Sequence, residues 1–383
     1  MTEVARGSGM AEVVVAGHLC LDVIPDFPSR ATLEPGRLSE VGRATFAPGG
    51  GVANVGLALG RLGVSTRLLG FIGDDAFGRI LKELLEQQDA EAAAGIRVDP
   101  TSHTSYTIVV NPPGTDRMFL HHAGANERFE AAGIPPEELG GAKIFYFGYP
   151  PLMRGVYGDG GVGLAGLYRR LREQGVVTVM DMTLPDAHGP SGRVDWRAFL
   201  ERVLPQVDVY LPNFEETLFM LRRRLFDAGD WPRVPGELHR ELSGELLGLG
   251  AKVAGLTLAG NGIYLRTTAT AWPALLKSPA WRGRELYAPA FEVEAVGTTG
   301  AGDATVAGFL AAILEGEAPE QALTMAAAVG ACCVEAADAS SGILSWTATL
   351  QRIRRGWPRV DPGKLEGWRR DPSGVYRGPR DGS

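Results

Sequence analysis

The chain has 383 residues, 45% of them hydrophobic and 22% charged, a globular composition that excludes a disordered protein. Its 38 Lys+Arg against 45 Asp+Glu give a formal charge of −7, which argues against a nucleic-acid binder, whose footprint would be basic. The 52 glycines follow no G-X-Y period, so they serve turns and close backbone approaches rather than a collagen helix.

In chain order, AEVVVAG (11–17) is a short β-branched run ending in Gly, the pattern of a buried parallel strand. The Pro- and Gly-rich stretch 18–47 holds a further strand pattern in GRLSEVGRATFA. PGGGVANVGLALGRLG (48–63) reads as a helix with Val52, Val55, Leu59 and Leu62 on one stripe. Ala53, Gly56, Gly60 and Gly63 form a second stripe, small enough for close packing on a sheet. STRLLGFIG (65–73) is a strand, and DDAFGRILKELLEQQ an amphipathic helix. TSYTIVVN (104–111) and RMFLHHAG (117–124), separated by PPGTD, read as a hairpin. Together with 18–47 it suggests a small β element protruding from a main sheet.

KIFYFGY, VVTVMD, VDVYLPN, VAGLTLA and the segment around YAPAFEVEAV continue as strand candidates, with helical patterns between most of them. Alternating β and α argues a parallel sheet with helices on both faces. The last strong helices fall at 304–315 and 320–337. Beyond about 350 the chain turns polar and rich in Pro, Gly, Arg and Trp, which predicts an extended or partly disordered tail. Cys20, Cys332 and Cys333 are too few for a disulfide framework and read as free thiols of a reducing compartment. No apolar run reaches the ~20 residues of a bilayer span, and the first ten residues carry no signal-peptide core. The expected location is the cytoplasm, with neither a membrane nor a nucleic acid as partner.

The most informative segment is EAVGTTGAGDATVAGFLAAILEG, 294–316. Gly300 and Gly302 let the backbone approach a ligand just where a helix begins, and the free N–H groups of that first turn make an anion site. Asp303 then fits either a helix cap or a general base set against the group that receives the anion. In FAPGGGVANVG (46–56), Gly49 and Gly50 allow backbone contact with a small polar ligand, and Asn54 is a two-way hydrogen bonder on the first helical turn. In LPNFEE (211–216), a strand end delivers Asn213, with Glu216 one turn on. That spacing suits either a hydrated Mg²⁺ or a surface capping motif. Asp22, just after the first strand, is a lone carboxylate.

Taken together, these segments resemble the ribokinase-like (PfkB-type) carbohydrate kinases. PGGGVANVGLALGRLG matches the N-terminal signature, GFIGDDAFG (70–78) its companion G-x-x-G-D-D-x-F-G, and GTTGAGD the C-terminal signature. The resemblance covers about 12–345. It implies an α/β fold: a three-layer α/β/α sandwich with a mostly parallel central sheet and a small protruding β-sheet lid, built from strands about 18–47 and 103–124. The kinase domain would span 11–350, followed by an extension at 351–383.

It further implies that Asp303 takes the proton from the acceptor hydroxyl and that Gly300, Ala301 and Gly302 form the anion hole. Asp22, Gly49, Gly50 and Asn54 would bind the sugar. Asn213, Thr257, Gly260, Gly262 and Thr299 would bind the nucleotide, and Glu216 with Asn213 would hold Mg²⁺ through water. The reaction implied is phosphoryl transfer from ATP to a hydroxyl of a sugar or sugar-like substrate, in a homodimer joined through the lids. A nucleoside kinase of the same family and a non-catalytic sugar- or nucleotide-binding relative are the alternatives.

Four positions depart from the family pattern. Gly297 replaces the Asp that usually opens D-T-T-G-A-G-D, which implies weak or no dependence on K⁺. Ala259 replaces the first Gly of T-x-G-x-x-G, Thr305 replaces an aromatic residue, and DMTLPD (181–186) stands where D-x-N-x-R is usual. Gly158, Gly160 and Gly163 spell G-x-G-x-x-G but begin too far beyond their strand to bind a dinucleotide. His103, His121 and His122 lack a spaced further ligand and read as polar lid residues rather than a metal site.

Overall fold

All five residues of β1 (Val13–Gly17) are buried, as a strand covered on both faces requires, and the VVVAG sequence supplies that burial. The structure, a computed structural model, describes residues 10–28, 35–36, 38–113, 117–270 and 272–382. From β1 the chain leaves the main sheet for β2 (Cys20–Pro25) and β3 (Ala44–Gly49), then enters α1 (Gly50–Arg61). It returns as β4 (Thr66–Gly73), parallel to β1, and α2 (Ala76–Ala93) leads to β5 (Ile96–Asp99) at the sheet edge. β6 (Tyr106–Val110) and β7 (Met118–His122) are the expected antiparallel hairpin, with turn residues 114–116 outside the described residues.

β8 (Ile144–Gly148) comes back on the other side of β1. α3 (Arg154–Tyr157), α4 (Val162–Glu173), β9 (Val177–Met180), α5 (Trp196–Val203), β10 (Val209–Tyr210), α6 (Phe214–Leu221), α7 (Arg223–Ala228), α8 (Glu237–Gly248) and β11 (Val253–Thr257) then build the sheet outward. β12 (Ile263–Thr267) and β13 (Glu285–Ala288) add to it antiparallel. α9 (Ala301–Leu314), α10 (Pro319–Cys333) and α11 (Trp346–Arg354) follow, then β14 (Arg369–Arg370) and β15 (Tyr376–Arg377). The main sheet runs β14-β15-β13-β12-β11-β10-β9-β8-β1-β4-β5, and the small sheet β3-β2-β6-β7.

Alternation along the central strands feeds two separate cores. Val13, Val15, Ile144 and Tyr146 point into one, which is closed by α1, α2, α9 and α10. Val14, Ala16, Phe145 and Phe147 point into the other, closed by α4, α5, α6 and α8. This is the three-layer α/β/α sandwich with a mostly parallel sheet, and β2, β3, β6 and β7 are the small protruding sheet.

Three details differ from the sequence reading. β5 and β12 were not among the strand candidates. The segment YAPAFEVEAV is strand only to Ala288, and beyond it Phe291 makes a single bridge to Arg359. The tail is packed rather than loose: β15 pairs with β13, Val375 is fully buried, and Arg284 bonds Asp381 at 2.7 Å. Its polar composition misled because its order rests on ion pairs and two-residue strands, which leave no apolar period. Part of the predicted 18–47 strand region, at 29–34 and 37, lies outside the described residues.

Candidate active site

Parallel strands side by side present their C-terminal loops on one rim, and the crevice opens where the order reverses. Here the reversal lies between β1 and β8. His18 follows β1, Tyr149 follows β8, Asp181 follows β9, Asn213 follows β10, and Thr257 ends β11. All five line one cavity of about 770 Å³, roofed by Thr107, Arg117, Phe119 and His121 of the lid hairpin. Gly17 carries φ 126, and a Cβ there would stand 2.3 Å from the Gly148 carbonyl, so β1 and β8 approach this closely only with glycine.

Two helix N-termini meet on the opposite wall. α9 starts after Gly300, which holds φ 73 and packs on Ala339, where a Cβ would collide at 2.5 Å. At Gly302 a Cβ would meet nothing within 4 Å, so the backbone there is open to a ligand. The first-turn N–H groups of a helix have no intrahelical partner and carry its positive end. Asp303 is buried in that turn but makes no cap: the N-cap is Gly300, and it has no side-chain bond. Asn54 of α1 donates to Asp303 Oδ2 at 3.0 Å, and the Tyr149 hydroxyl stands 2.8 Å from both carboxylate oxygens. Burial pushes the Asp303 carboxyl up to about 6, against the hydrogen bonds from Tyr149, Asn54 and its own backbone N–H, which favour its ionised form.

Beside it, Asp22 is half-buried and also raised to about 6, by burial above all. Gly49 lies flat against that carboxylate, since a Cβ would stand 2.4 Å from Asp22 Oδ2. Gly50 holds φ 84 and faces the His18 ring, with room for no side chain.

On the far side, Asn213 and Glu216 form a reciprocal capping box on α6: Glu216 N–H donates to Asn213 Oδ1 at 2.7 Å, and Asn213 N–H to Glu216 Oε2 at 2.8 Å. The motif is therefore a cap in geometry, yet Glu216 is buried, Asn213 is half-buried, and both line the cavity rather than the outer surface. Burial, together with the charge of Asp303, holds the Glu216 carboxyl well above the usual range. Asp181, which accepts from Tyr146 at 3.2 Å, is raised by burial and by the charges of Glu216 and Asp303. Such a carboxylate-rich wall fits a divalent cation. Among the described residues no three His, Cys, Asp or Glu side chains could hold a metal by themselves, so the cation would share ligands with phosphate and water.

Asp303, Gly300, Ala301, Gly302, Asp22, Gly50, Asn54, Asn213, Glu216, Thr257 and Thr299 thus share one cavity. Gly49 backs Asp22, while Gly260 and Gly262 lie in the turn between β11 and β12, outside the lining. The sequence reading did not include Tyr149, Asp181, His18 or Arg117 as site residues. Arg117 reaches from the lid to donate to the hydroxyls of Thr298 and Thr299, at the mouth of the α9 N-terminus. The Gly158–Gly163 fingerprint is the turn into α4 and its first two residues, and its N–H groups at Gly161, Val162 and Gly163 go to the Asp159 carboxylate.

Residues 10–346 match the family model described as pfkB family carbohydrate kinase. The chain is 26% identical over 332 residues to the probable chloroplastic fructokinase-6 of Arabidopsis thaliana, covering 84% of this chain and 77% of that protein. With probable fructokinase-7 of the same plant it shares 31% identity over 138 residues, 36% of this chain and 38% of the relative. A structure of Arabidopsis thaliana ribokinase complexed with ribose and ATP superposes with a TM-score of 0.68 at 20% identity, covering 89% of this chain and 98% of that one. That likeness shows the ribokinase-like fold.

Proposed function

The chain belongs to the pfkB family of carbohydrate kinases, phosphotransferases with a hydroxyl acceptor, and on that premise we propose that it moves the γ-phosphoryl of ATP to a hydroxyl of a sugar or sugar-like substrate. The observation that carries this reading is Asp303: a buried carboxylate in the first turn of α9, turned away from the cap and held toward the cavity by Asn54 and Tyr149. The acceptor O–H gives its proton to Asp303 as its oxygen bonds to the γ-phosphorus, and the bond to the β-phosphate oxygen breaks to release ADP. The N–H groups of Gly300, Ala301 and Gly302 meet the transferring phosphoryl with the positive end of α9. Catalysis is then positioning and charge neutralisation, with no covalent work for the protein.

Asp22, Gly49, Gly50 and Asn54 orient the acceptor, while Asn213, Thr257 and Thr299 border the nucleotide. Gly262 shapes the turn beside the nucleotide, and Gly260 leaves it open. Asp181 and Glu216 would face Mg²⁺ through water. When bound, the ion would supply positive charge to offset the charge that develops on the phosphate oxygens. The β2, β3, β6, β7 sheet closes as a lid and keeps water from the phosphoryl group. Its Phe46, Met118, Phe119 and Leu120 are exposed, which supports pairing of two lids in a homodimer. Among the described residues no helix is long and apolar enough to cross a membrane, and the cytoplasm is the proposed location.

The test is an ATP-consumption screen over pentoses, hexoses, sugar phosphates, sugar acids and nucleosides. Turnover with a sugar supports the reading. Turnover confined to nucleosides, or none, contradicts it.

A further inference from the structure

His18 is 1% exposed, and its main chain is fully used: its N–H donates to the Gly148 carbonyl at 3.1 Å, and its carbonyl accepts from Val52 at 3.1 Å. Neither of its ring nitrogens has a hydrogen-bond partner. Buried polar atoms are normally paired, and an unpaired one calls for a reason. His239 shares this property, but it stacks flat on Phe214 at 4.0 Å inside the apolar core. The His18 ring instead lines the cavity, which Asp22, Asn54, Thr107 and His121 also line. It stacks on Tyr149 at 6.0 Å and stands 5.0 Å from the His121 ring. The start of α1 is moulded around it, since a Cβ on Gly50 would lie 2.6 Å from its Nδ1.

Burial, and then the neighbouring His121, keep His18 neutral. A neutral imidazole offers one donor and one acceptor, a match for a hydroxyl group. The charged side chains among the described lining residues bear on the acceptor's class. They are Asp22, Asp181, Asp186, Glu216, Asp303 and one cation, Arg117, which is engaged with Thr298 and Thr299 at the phosphoryl end. Nothing cationic among them faces the His18 end to receive an acceptor's phosphate or carboxylate.

We propose that the His18 ring hydrogen-bonds a hydroxyl of the acceptor, and that the acceptor is an uncharged polyhydroxyl compound. This rests on the kinase reading of the same cavity and goes beyond it in naming the residue and the charge class.

The test compares the wild type with His18→Phe, which keeps the ring stack and loses both nitrogens, and with His18→Gln, which keeps a donor and an acceptor. D-fructose, D-ribose, fructose 6-phosphate and gluconate serve as acceptors. The acceptor KM should rise tenfold or more in His18→Phe with the ATP KM and Tm unchanged, and His18→Gln should recover part of the loss. An unchanged acceptor KM in folded His18→Phe overturns the assignment, and a kcat/KM for fructose 6-phosphate or gluconate above both neutral sugars overturns the charge class. If His18→Phe does not fold, a wild-type structure with D-fructose or D-ribose decides. A ring nitrogen within hydrogen-bond reach of a sugar oxygen supports the subsite, and none in reach overturns it. Sugar bound against His18 without phosphoryl transfer contradicts the kinase reading and leaves the subsite standing.

Discussion

The Tyr149 hydroxyl stands 2.8 Å from both carboxylate oxygens of Asp303, and Tyr149 holds φ 64 and ψ 47 to reach them. A bulky residue in the left-handed region is uncommon, and it persists only where its surroundings over-determine it. One phenolic hydrogen shared between the two oxygens, with Asn54 on Oδ2, fixes the carboxylate plane at the start of α9.

Tyr149→Phe should move the acid limb of log(kcat/KM) against pH. Asp303 works as a base only when ionised, so the rate falls as pH drops through its value, about 6. Asp22 lies in the same range, so the wild-type limb belongs to both groups. The Tyr149 hydrogen bond favours the ionised form of Asp303, and its removal should raise the limb by about one pH unit, as for loss of a bond to a charged group. An unmoved limb would show that Tyr149 does not act on the titrating group.

Glu216→Gln should raise the Mg²⁺ concentration for half-maximal rate about tenfold, because a hard cation prefers a charged oxygen even through water. The amide also faces the Asn213 amide across a 2.7 Å contact, so Tm should fall slightly as the cap weakens. A lower Tm with an unchanged Mg²⁺ titration would leave LPNFEE as a structural cap.

Activity should depend weakly or not at all on K⁺. Gly297 supplies no carboxylate, and a Cβ there would stand 2.8 Å from the Ala336 carbonyl and 3.0 Å from that of Ala337. The Cys333 thiol already donates toward the carbonyls of Thr299 and Ala339, at 3.5 and 3.3 Å. The check is the rate without K⁺ and then with K⁺ at constant ionic strength. Activation of tenfold or more, about 1.4 kcal/mol of transition-state stabilisation, contradicts the expectation.

Ala259→Gly should stabilise the fold by up to about 1 kcal/mol, because Ala259 sits at φ 50, where glycine carries no Cβ penalty. Gly262→Ala in the same turn should do the reverse, since a Cβ there would stand 2.1 Å from the Ala288 carbonyl. Thermal unfolding of both variants checks the pair, and equal Tm shifts would contradict it.

The sequence announces α1 and α9 because each carries its own glycine-rich start followed by a clear apolar stripe, and Asp303, Asn54 and Gly300 travel with them. Tyr149, Asp181 and His18 carry no such local mark. Each is the polar residue after an apolar strand, and only the strand order β9-β8-β1 brings the three together. β12 stayed hidden because the turn AGNG before it resembles a nucleotide loop, although it also closes the β11–β12 hairpin. The order of the tail has no local mark for a different reason. Its order comes from Arg284 paired with Asp381, 97 residues away, and no local pattern signals such a pair.

The most direct measurement is the rate of sugar phosphate formation by Asp303→Asn, followed by ³¹P NMR alongside ATP affinity. Asparagine fills the same space and can still accept from Tyr149 and Asn54, but it cannot take a proton from the acceptor. The expected result is a folded protein that binds ATP as the wild type does, with kcat lower by about 10²–10⁴. Sugar phosphate formed at the wild-type rate would mean that Asp303 is not the base.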